Sequence, residues 1–332
     1  YVDRLNRKYV MIFSDAFIAV CALVLLVILQ NENVNLIWIY VLLGLRSIGN
    51  AFHTPALQAI APLIVPQSEL IKVAGINQVL HSVCSIGGPA IGTLAIAYLP
   101  ISMVLYLDLI GALLAILSLV MVKIPDLVTK SKSSIHSITT DFLEGFQTIS
   151  KNKGLRYLFL YAMAITFIMM PAAIMFPLLT TGHYAGGKWE MGVIEVVWGG
   201  GMLIGGAILS TFILKGSKVV AVNVMYVLLG LTFILSGALP ASWFVGFVLT
   251  TAIGGISLSV FNGCFTAIVQ TEVSPDKLGR VFSLYYSLAV LPSVIGLLFT
   301  GLIAEVIGVN ISFIISGCLA ILVGILSFST RN

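Results

Sequence analysis

Long runs of apolar residues, separated by short polar stretches, extend along the whole chain. Crossing roughly 30 Å of bilayer hydrocarbon takes about 20 mainly apolar residues in helical form, and ten runs reach that length. Each run is about twice as long as a barrel strand and lacks alternating polar positions, so the pattern predicts helices. The predicted spans are 9–29, 36–56, 73–98, 101–122, 155–179, 192–214, 219–239, 242–269, 281–303 and 310–328.

Composition supports an all-α integral membrane protein and excludes a water-soluble one. Of the 332 residues 59% are hydrophobic and 9% are charged, against about 25% charged residues in an average soluble domain. The basic residues recur in short spaced groups, so the net charge of +4 predicts no nucleic-acid partner. The four cysteines lie inside apolar runs, without the spacing of a disulfide framework or a zinc site. No metal or cofactor is predicted.

The positions of lysine and arginine predict the orientation of the chain in the membrane. Basic residues next to spans are retained on the cytoplasmic side, and fifteen of the seventeen fall on one side of the alternating spans. Lys188 lies on the other side, and Arg46 lies within a span. Both ends of this chain are therefore expected in the cytoplasm.

A weak internal repeat relates two cytoplasmic connections. VPQSELIKV at 65–73 resembles VSPDKLGRV at 273–281, with an offset of 208 to 209 residues. Such a repeat is typical of two six-helix halves related by an axis along the membrane normal. The same offset carries the loop at 214–218 onto positions 6–10. We therefore expect the chain to begin between the second and third of twelve helices, with two helices preceding it.

One polar, serine-rich connection is much longer than the others. It predicts a four-helix bundle over 1–122, a cytoplasmic linker over 123–154 and a six-helix bundle over 155–332. Within the linker, Asp141 is expected to cap a short amphipathic helix that lies on the membrane face. The apolar stripe of that helix comprises Phe142, Leu143, Phe146 and Ile149.

Several segments resemble the major facilitator superfamily. YVDRLNRKYVM at 1–11 resembles the latter part of the loop motif G-x-L-x-D-R-x-G-R-K, with Asn6 in place of glycine. FHTPAL, YLDLIGALLA, KNKGL and LGRVFSL resemble the macrolide-efflux branch of drug exporters. The loop-motif positions that match are Asp3, Arg4, Arg7 and Lys8.

The resemblance covers essentially the whole chain and implies the major facilitator fold, with two pseudo-symmetric bundles. It implies proton-coupled export of macrolides or similar amphiphiles by alternating access. The protein is then expected to lie in the lipid bilayer of a bacterial plasma membrane and to be a monomer. Siderophore or lysolipid export is the alternative within the superfamily. The positive charges of the loop motif are expected to keep the loop on the cytoplasmic side. The motif is also expected to form a latch that opens when the two halves rock.

A fifth-helix motif of antiporters, G-x(8)-G-x(3)-G-P-x(2)-G-G, is also partly matched. Cys84 and Thr93 replace two of its glycines. The matching positions could allow close helix packing or form a hinge, and the sequence does not decide between these two roles. Those positions are Gly75, Gly88, Pro89 and Gly92.

Ionisable residues inside spans are costly and are candidate coupling or gating residues. Arg46 lies near the middle of its span and is expected to pair with Asp15, either for structure or for gating. Asp108 is either a proton carrier or an acid hydrogen-bonded to a neighbouring helix. Glu195 lies about one turn into its span, which favours a position at the rim over a proton relay.

Two further features have a structural and a functional interpretation. His53 and His81 could titrate near neutral pH, although packed and hydrogen-bonded histidines are more common. GHYAGGKW at 182–189 matches G-x(4)-G-K, but it lies between spans and Trp189 replaces the Ser or Thr of a P-loop. An intramembrane enzyme would need a nucleophile, a base or a metal set at one depth, and none is evident. We therefore predict no catalytic residues.

Overall fold

The computed structural model describes residues 5–30, 35–125, 138–211 and 217–330. Within these ranges the chain forms twelve α-helices and no strand. Single 3-10 turns at Gln67–Glu69 and Pro275–Lys277 precede two of the helices, and a π turn covers Leu179–His183. The helices are α1 (Arg7–Ile28), α2 (Leu36–Ile64), α3 (Leu70–Tyr98), α4 (Ile101–Met121), α5 (Ile138–Lys151), α6 (Lys153–Ile174), α7 (Phe176–Leu178), α8 (Lys188–Thr211), α9 (Lys218–Ala238), α10 (Phe244–Glu272), α11 (Leu278–Ile307) and α12 (Val309–Ser329).

Ten of these helices have 21 residues or more, and each overlaps one of the ten predicted spans. Among the described residues, eight helices are long and apolar enough to cross a membrane. Many of their large apolar side chains are exposed, as expected where lipid is the solvent. The prediction of an all-α integral membrane protein is therefore confirmed.

Two spans end more than four residues away from the predicted position, and proline is involved in both. α2 continues through Pro55 and Pro62 to Ile64, eight residues beyond the predicted end. α6 ends at Ile174 and is followed by the single-turn α7 and the π turn, where one continuous helix was predicted. Pro177 lacks an N–H group and its ring clashes with the carbonyl four residues earlier, which interrupts the helix there.

The weak repeat in the sequence corresponds to a repeat in the backbone. α2 and α10 have 29 residues each, and both bounds differ by 208 residues. α4 and α12 have 21 residues each and show the same offset at both ends. The two 3-10 turns also lie 208 residues apart, and each leads directly into the next long helix. This duplicated helix plan is the one expected of a transporter with two pseudo-symmetric bundles.

The amphipathic helix of the linker is present as α5. It begins at Ile138, so Asp141 lies inside the helix and is not its N-cap. Three residues of the expected apolar stripe are exposed, whereas Ile149 is buried. Glu144 Oε2 lies 2.7 Å from Arg280 Nη1, which ties α5 to the first turn of α11.

The chain forms two compact units. The first unit comprises Tyr1–Gln67, Gly88–Thr148 and Val273–Leu284. In it, α1 packs against α2 and α4. Its core contains two small clusters of buried apolar residues, namely Val10, Met11, Ala56 and Ile60, and Cys21, Leu25 and Leu42.

The second unit comprises Ser68–Gly87, Ile149–Glu272 and Tyr285–Asn332. In it α8, α9, α10 and α12 pack side by side, with α6 against α12. Glycines allow these helices to approach closely: a Cβ at Gly230 would lie 2.6 Å from the carbonyl oxygen of Gly317. Small residues at such crossings are typical of membrane helices, which associate through van der Waals packing. The predicted division at the linker remains a prediction.

Candidate functional site

An ion pair joins two membrane-spanning helices of the first unit. Arg46 Nη1 on α2 lies 2.6 Å from Asp108 Oδ2 on α4, and 26% and 40% of the two side chains are exposed. A guanidinium inside a bilayer is expensive unless a carboxylate compensates it. The structure therefore gives Arg46 a different partner from Asp15, which was expected from the sequence.

The length of α2 explains this difference. Because α2 continues to Ile64, Arg46 lies about 27 Å along the axis from the C-terminal end of α2 at 1.5 Å per residue. Asp15 lies only about 12 Å from the start of the oppositely directed α1. His53, about 16 Å from the end of α2, is much closer in depth to Asp15.

Asp15 accordingly faces a histidine. His53 Nε2 lies 3.4 Å from Asp15 Oδ1, and 23% and 16% of the two side chains are exposed. His53 follows Arg46 by seven residues, so both point from the same face of α2. This face of α2 therefore carries one electrostatic contact with α4 and another with α1.

The described residues of the loop motif donate to backbone carbonyl groups of neighbouring segments. Arg7 is 7% exposed, and its guanidinium donates to the carbonyl oxygen of Ala59 at 2.7 Å and to that of Pro275. Lys8 Nζ donates to the carbonyl oxygens of Val120 and Val122, both at 2.8 Å. The acceptors of Lys8 lie at the C-terminal end of α4, where carbonyl groups lack partners within the helix and a cation is favourable.

The remaining two residues of the motif, Asp3 and Arg4, lie outside the described residues. The expected latch that includes Asp3 therefore stays a prediction. Arg7 and Lys8 nevertheless have structural contacts of their own, because they connect α1 to α2, to the turn before α11 and to the end of α4.

The residues of the fifth-helix motif have different surroundings. A Cβ at Gly75 would lie 2.6 Å from the backbone nitrogen of Ser210 and 2.8 Å from the carbonyl oxygen of Gly206. Gly75 thus lies at a close crossing of α3 and α8. A Cβ at Gly88 or Gly92 would meet no atom of the described structure within 4 Å. Pro89 lies inside α3, between these two open positions.

The second unit contains a cavity of about 580 Å³. Its lining comes from α3, the end of α6, α7, the π turn, α8 and α10. Glu195 and His81 are its ionisable lining residues, and Phe176 and Trp198 provide aromatic surface. A mainly apolar cavity of this size with a few polar groups is typical of small-molecule sites.

Glu195 was predicted near the rim of its span. Since α8 begins at Lys188, this residue lies about 10 Å along the helix. It is exposed, and it lines the cavity. His81 also lines the cavity, and its Nδ1 lies 3.4 Å from the hydroxyl of Ser85 on the same helix.

An aromatic cluster surrounds Phe176 at the cavity wall. Its ring centroid lies between 5.1 and 6.0 Å from those of four other rings. These rings belong to Trp198, Phe233, Phe247 and Phe313. Tilted, edge-on and offset contacts of this kind stabilise a wall with fixed side chains.

The glycine-containing segment before α8 shows no phosphate-binding geometry. The N–H of Gly187 donates to Glu190 Oε2 at 2.6 Å, so a carboxylate of the chain itself occupies this donor. Burial raises the pKa of the nearby Tyr184 hydroxyl to about 12, and this hydroxyl donates to the carbonyl oxygen of Ser236 at 2.7 Å. The described residues contain no group of three or more His, Cys, Asp and Glu side chains arranged for a metal ion.

Besides the ion pair of Arg46 with Asp108, sequence reasoning missed two contacts. The sequence analysis recognised His53 as titratable but did not predict its contact with Asp15. The available signal was that His53 follows Arg46 by seven residues and so lies on the same face of α2. The ion pair between Glu144 and Arg280 had no signal in the sequence, because the two residues are far apart in the chain.

Comparison with known proteins gives concordant matches. Residues 1–222 match the family model described as Major Facilitator Superfamily. The chain is 36% identical over 324 residues to Macrolide efflux protein A of Streptococcus pyogenes, covering 98% of this chain and 80% of that protein. It is 35% identical over 296 residues to Macrolide efflux protein A of Enterococcus faecalis, covering 89% and 92%.

Solved structures show the same fold. The human organic anion transporter MFSD10 aligns with a TM-score of 0.83 and 19% identity, covering 98% of this chain and 78% of that one. The fucose:proton symporter FucP of E. coli aligns with a TM-score of 0.76 and 13% identity, covering 100% and 85%. At these identities the likeness concerns the fold alone.

Proposed function

The chain belongs to the major facilitator superfamily of membrane transporters, and from this premise we propose that it exports macrolides or similar amphiphilic compounds from the cell. The observation that carries the proposal is the 36% identity to Macrolide efflux protein A of Streptococcus pyogenes over 98% of this chain. The Enterococcus faecalis relative supports the same substrate class.

The cavity of the second unit supports an amphiphilic substrate. Phe176, Trp198 and Met202 offer an apolar wall, and Glu195 offers one carboxylate. An amphiphile can place its apolar body against such a wall while a polar or cationic group approaches the acid. We assign this cavity to the substrate-binding surface of the second unit.

Transport is proposed to proceed by alternating access driven by protons. In this proposal the bundles on either side of the 123–154 linker rock, and both ends of this chain lie on the cytoplasmic side of the plasma membrane. The contacts of Arg7 and Lys8 then form part of a cytoplasmic latch, and Arg46 with Asp108 holds α2 against α4 during the movement. A membrane potential supplies about 2.3 kcal/mol per charge for every 100 mV.

Drug susceptibility in an exporter-deficient bacterial host tests the proposal. Expression of the protein is expected to raise the inhibitory concentration of macrolides several-fold, and a protonophore is expected to restore intracellular accumulation of a labelled macrolide. Cells carrying the empty vector are the control for the host. Unchanged susceptibility to macrolides, together with protection against lysolipids or secretion of a siderophore, would assign the protein to a different substrate.

A further inference from the structure

A histidine and an aspartate face each other between two membrane-spanning helices of the first unit. The imidazole of His53 on α2 lies 3.4 Å from the carboxylate of Asp15 on α1, and both side chains are partly buried. We propose that these two residues form the site that binds and releases the coupling proton. This inference rests on the proposed proton-coupled export. The ligand of this site is a proton held by an imidazole beside a carboxylate.

The chemistry of the two groups suits reversible protonation inside a membrane. Histidine is the side chain whose unperturbed protonation range lies between pH 5 and 8. With a proton bound, the pair is an imidazolium facing a carboxylate and has little net charge. After release, a neutral imidazole faces the carboxylate and the pair carries one negative charge. Proton uptake therefore strengthens the attraction between α1 and α2, and release weakens it.

Asp108 is less suited to the same role. Its carboxylate lies 2.6 Å from the guanidinium of Arg46, which stays charged at any physiological pH. A proton on Asp108 would leave Arg46 without a counter-ion inside the membrane, which is costly. The ion pair of Arg46 with Asp108 is therefore a fixed contact, whereas the pair of His53 with Asp15 can alternate between two charge states.

The position of His53 on α2 connects protonation to helix movement. Pro55, two residues later, has no N–H group for the carbonyl of residue 51, so the hydrogen-bond ladder of α2 is interrupted beside the pair. Sharp bends in helices occur mainly at such places. A proton-dependent attraction therefore acts on α2 where its backbone yields most easily.

Besides the pair, other titratable or charged side chains are carried by α1, α2, α4 and the 3-10 turn that contacts α2. Arg7, Lys8, Arg46 and Asp108 have the partners described above. In chain order the full set among the described residues is Arg7, Lys8, Tyr9, Cys21, Tyr40, Arg46, Tyr106, Asp108, Asp276 and Lys277. Of the described residues, Asp15 is the carboxylate in salt-bridge range of His53.

A titration that needs no substrate tests the proton site directly. The protein has four histidines, so the imidazole signals of isotope-labelled protein in lipid nanodiscs can be assigned by single substitutions. The signal lost in His53→Gln is expected to respond reversibly to pH. Asp15→Asn is expected to change that response, because the imidazolium loses its counter-ion. The proposal would be overturned if the His53 signal did not change with pH, or if Asp15→Asn left its pH response unchanged.

Transport in proteoliposomes provides the functional readout. His53→Gln is expected to lose macrolide accumulation driven by a pH gradient, while exchange of labelled for unlabelled macrolide at equal pH persists and shows that the variant is folded. His183→Gln is the matched control, because His183 lies 2.8 Å from the carbonyl oxygen of Leu239 in the second unit. Gradient-driven accumulation by His53→Gln at the wild-type level would refute the assignment.

The two readouts separate this inference from the proposed function. If the wild-type protein moves no macrolide, the proposed substrate is wrong, and the titration still decides whether His53 and Asp15 form a proton site. If macrolide export is present but His53 fails to titrate, the export stands and this assignment falls.

Discussion

Gly75 on α3 and Gly206 on α8 lie where two helices of the second unit cross in backbone contact. A Cβ at Gly206 would lie 2.9 Å from the carbonyl oxygen of Gly75, and a Cβ at Gly75 would lie 2.8 Å from that of Gly206. Side chains would therefore separate the helices. The crossing lies one to two helical turns from residues of both helices that line the cavity, including His81 and Met202, so its spacing helps to set the cavity's width.

Substitution at this crossing is expected to destabilise the protein. Gly75→Ala forces a methyl group against the backbone of α8, and overpacking of this kind typically costs about 1–3 kcal/mol. Gly88→Ala is the matched control, because a Cβ there meets no described atom within 4 Å. Thermal unfolding of detergent-purified protein should show a lower midpoint for Gly75→Ala only. Equal midpoints for the two variants would contradict the close crossing.

Removing one charge of the ion pair between Arg46 and Asp108 is expected to lower the free energy of unfolding more than removing both charges. Asp108→Asn leaves the guanidinium without its counter-ion, and we expect a loss of about 1–3 kcal/mol because the pair is only partly buried. The double variant with Arg46→Gln and Asp108→Asn should recover part of that loss. A double-mutant cycle on thermal stability measures the coupling, and additive effects would show that the contact contributes nothing.

The helices were predictable from the sequence because each apolar run must satisfy its own backbone hydrogen bonds in lipid. Length and hydropathy therefore determine both the number and the type of the spans. The repeat was visible only as VPQSELIKV and VSPDKLGRV, yet the helix bounds around these segments keep the 208-residue offset. Backbone structure is retained here far better than side-chain identity.

Side-chain partners were harder to predict, because they depend on where helices end. The sequence predicted an end of α2 near residue 56, but α2 continues through Pro55 and Pro62, since membrane helices tolerate proline when neighbouring groups satisfy the freed backbone groups. The eight additional residues moved Arg46 away from Asp15 in depth and brought His53 level with it. The cavity could not be predicted, since four separate long helices contribute to its lining.

Arg7 is expected to be the more important of the two described loop-motif cations. Its buried guanidinium bonds carbonyl groups of α2 and of the turn before α11 at once, a geometry that the single ammonium of lysine does not reproduce. Arg7→Lys should lower stability by about 1–2 kcal/mol. Lys8→Arg is the reciprocal control at an exposed site, and it should be nearly neutral in chemical or thermal unfolding. A larger effect at Lys8 would reverse this ranking.

Glu195 is expected to determine how the cavity discriminates between charged and neutral substrates. A carboxylate in a mainly apolar cavity attracts an amphiphile that carries a protonated amine, and it offers little to a neutral analogue with the same body. Glu195→Gln should therefore raise the KM for the amine-bearing compound about tenfold, equivalent to about 1.4 kcal/mol, with a much smaller change for the neutral one. Glu190→Gln is the control, since Glu190 accepts from the N–H of Gly187 and an amide oxygen can do the same. Transport assays with both compounds in proteoliposomes measure the two KM values. An equal rise in KM for the two compounds would show that Glu195 supports the fold of α8 and has no role in selecting charge.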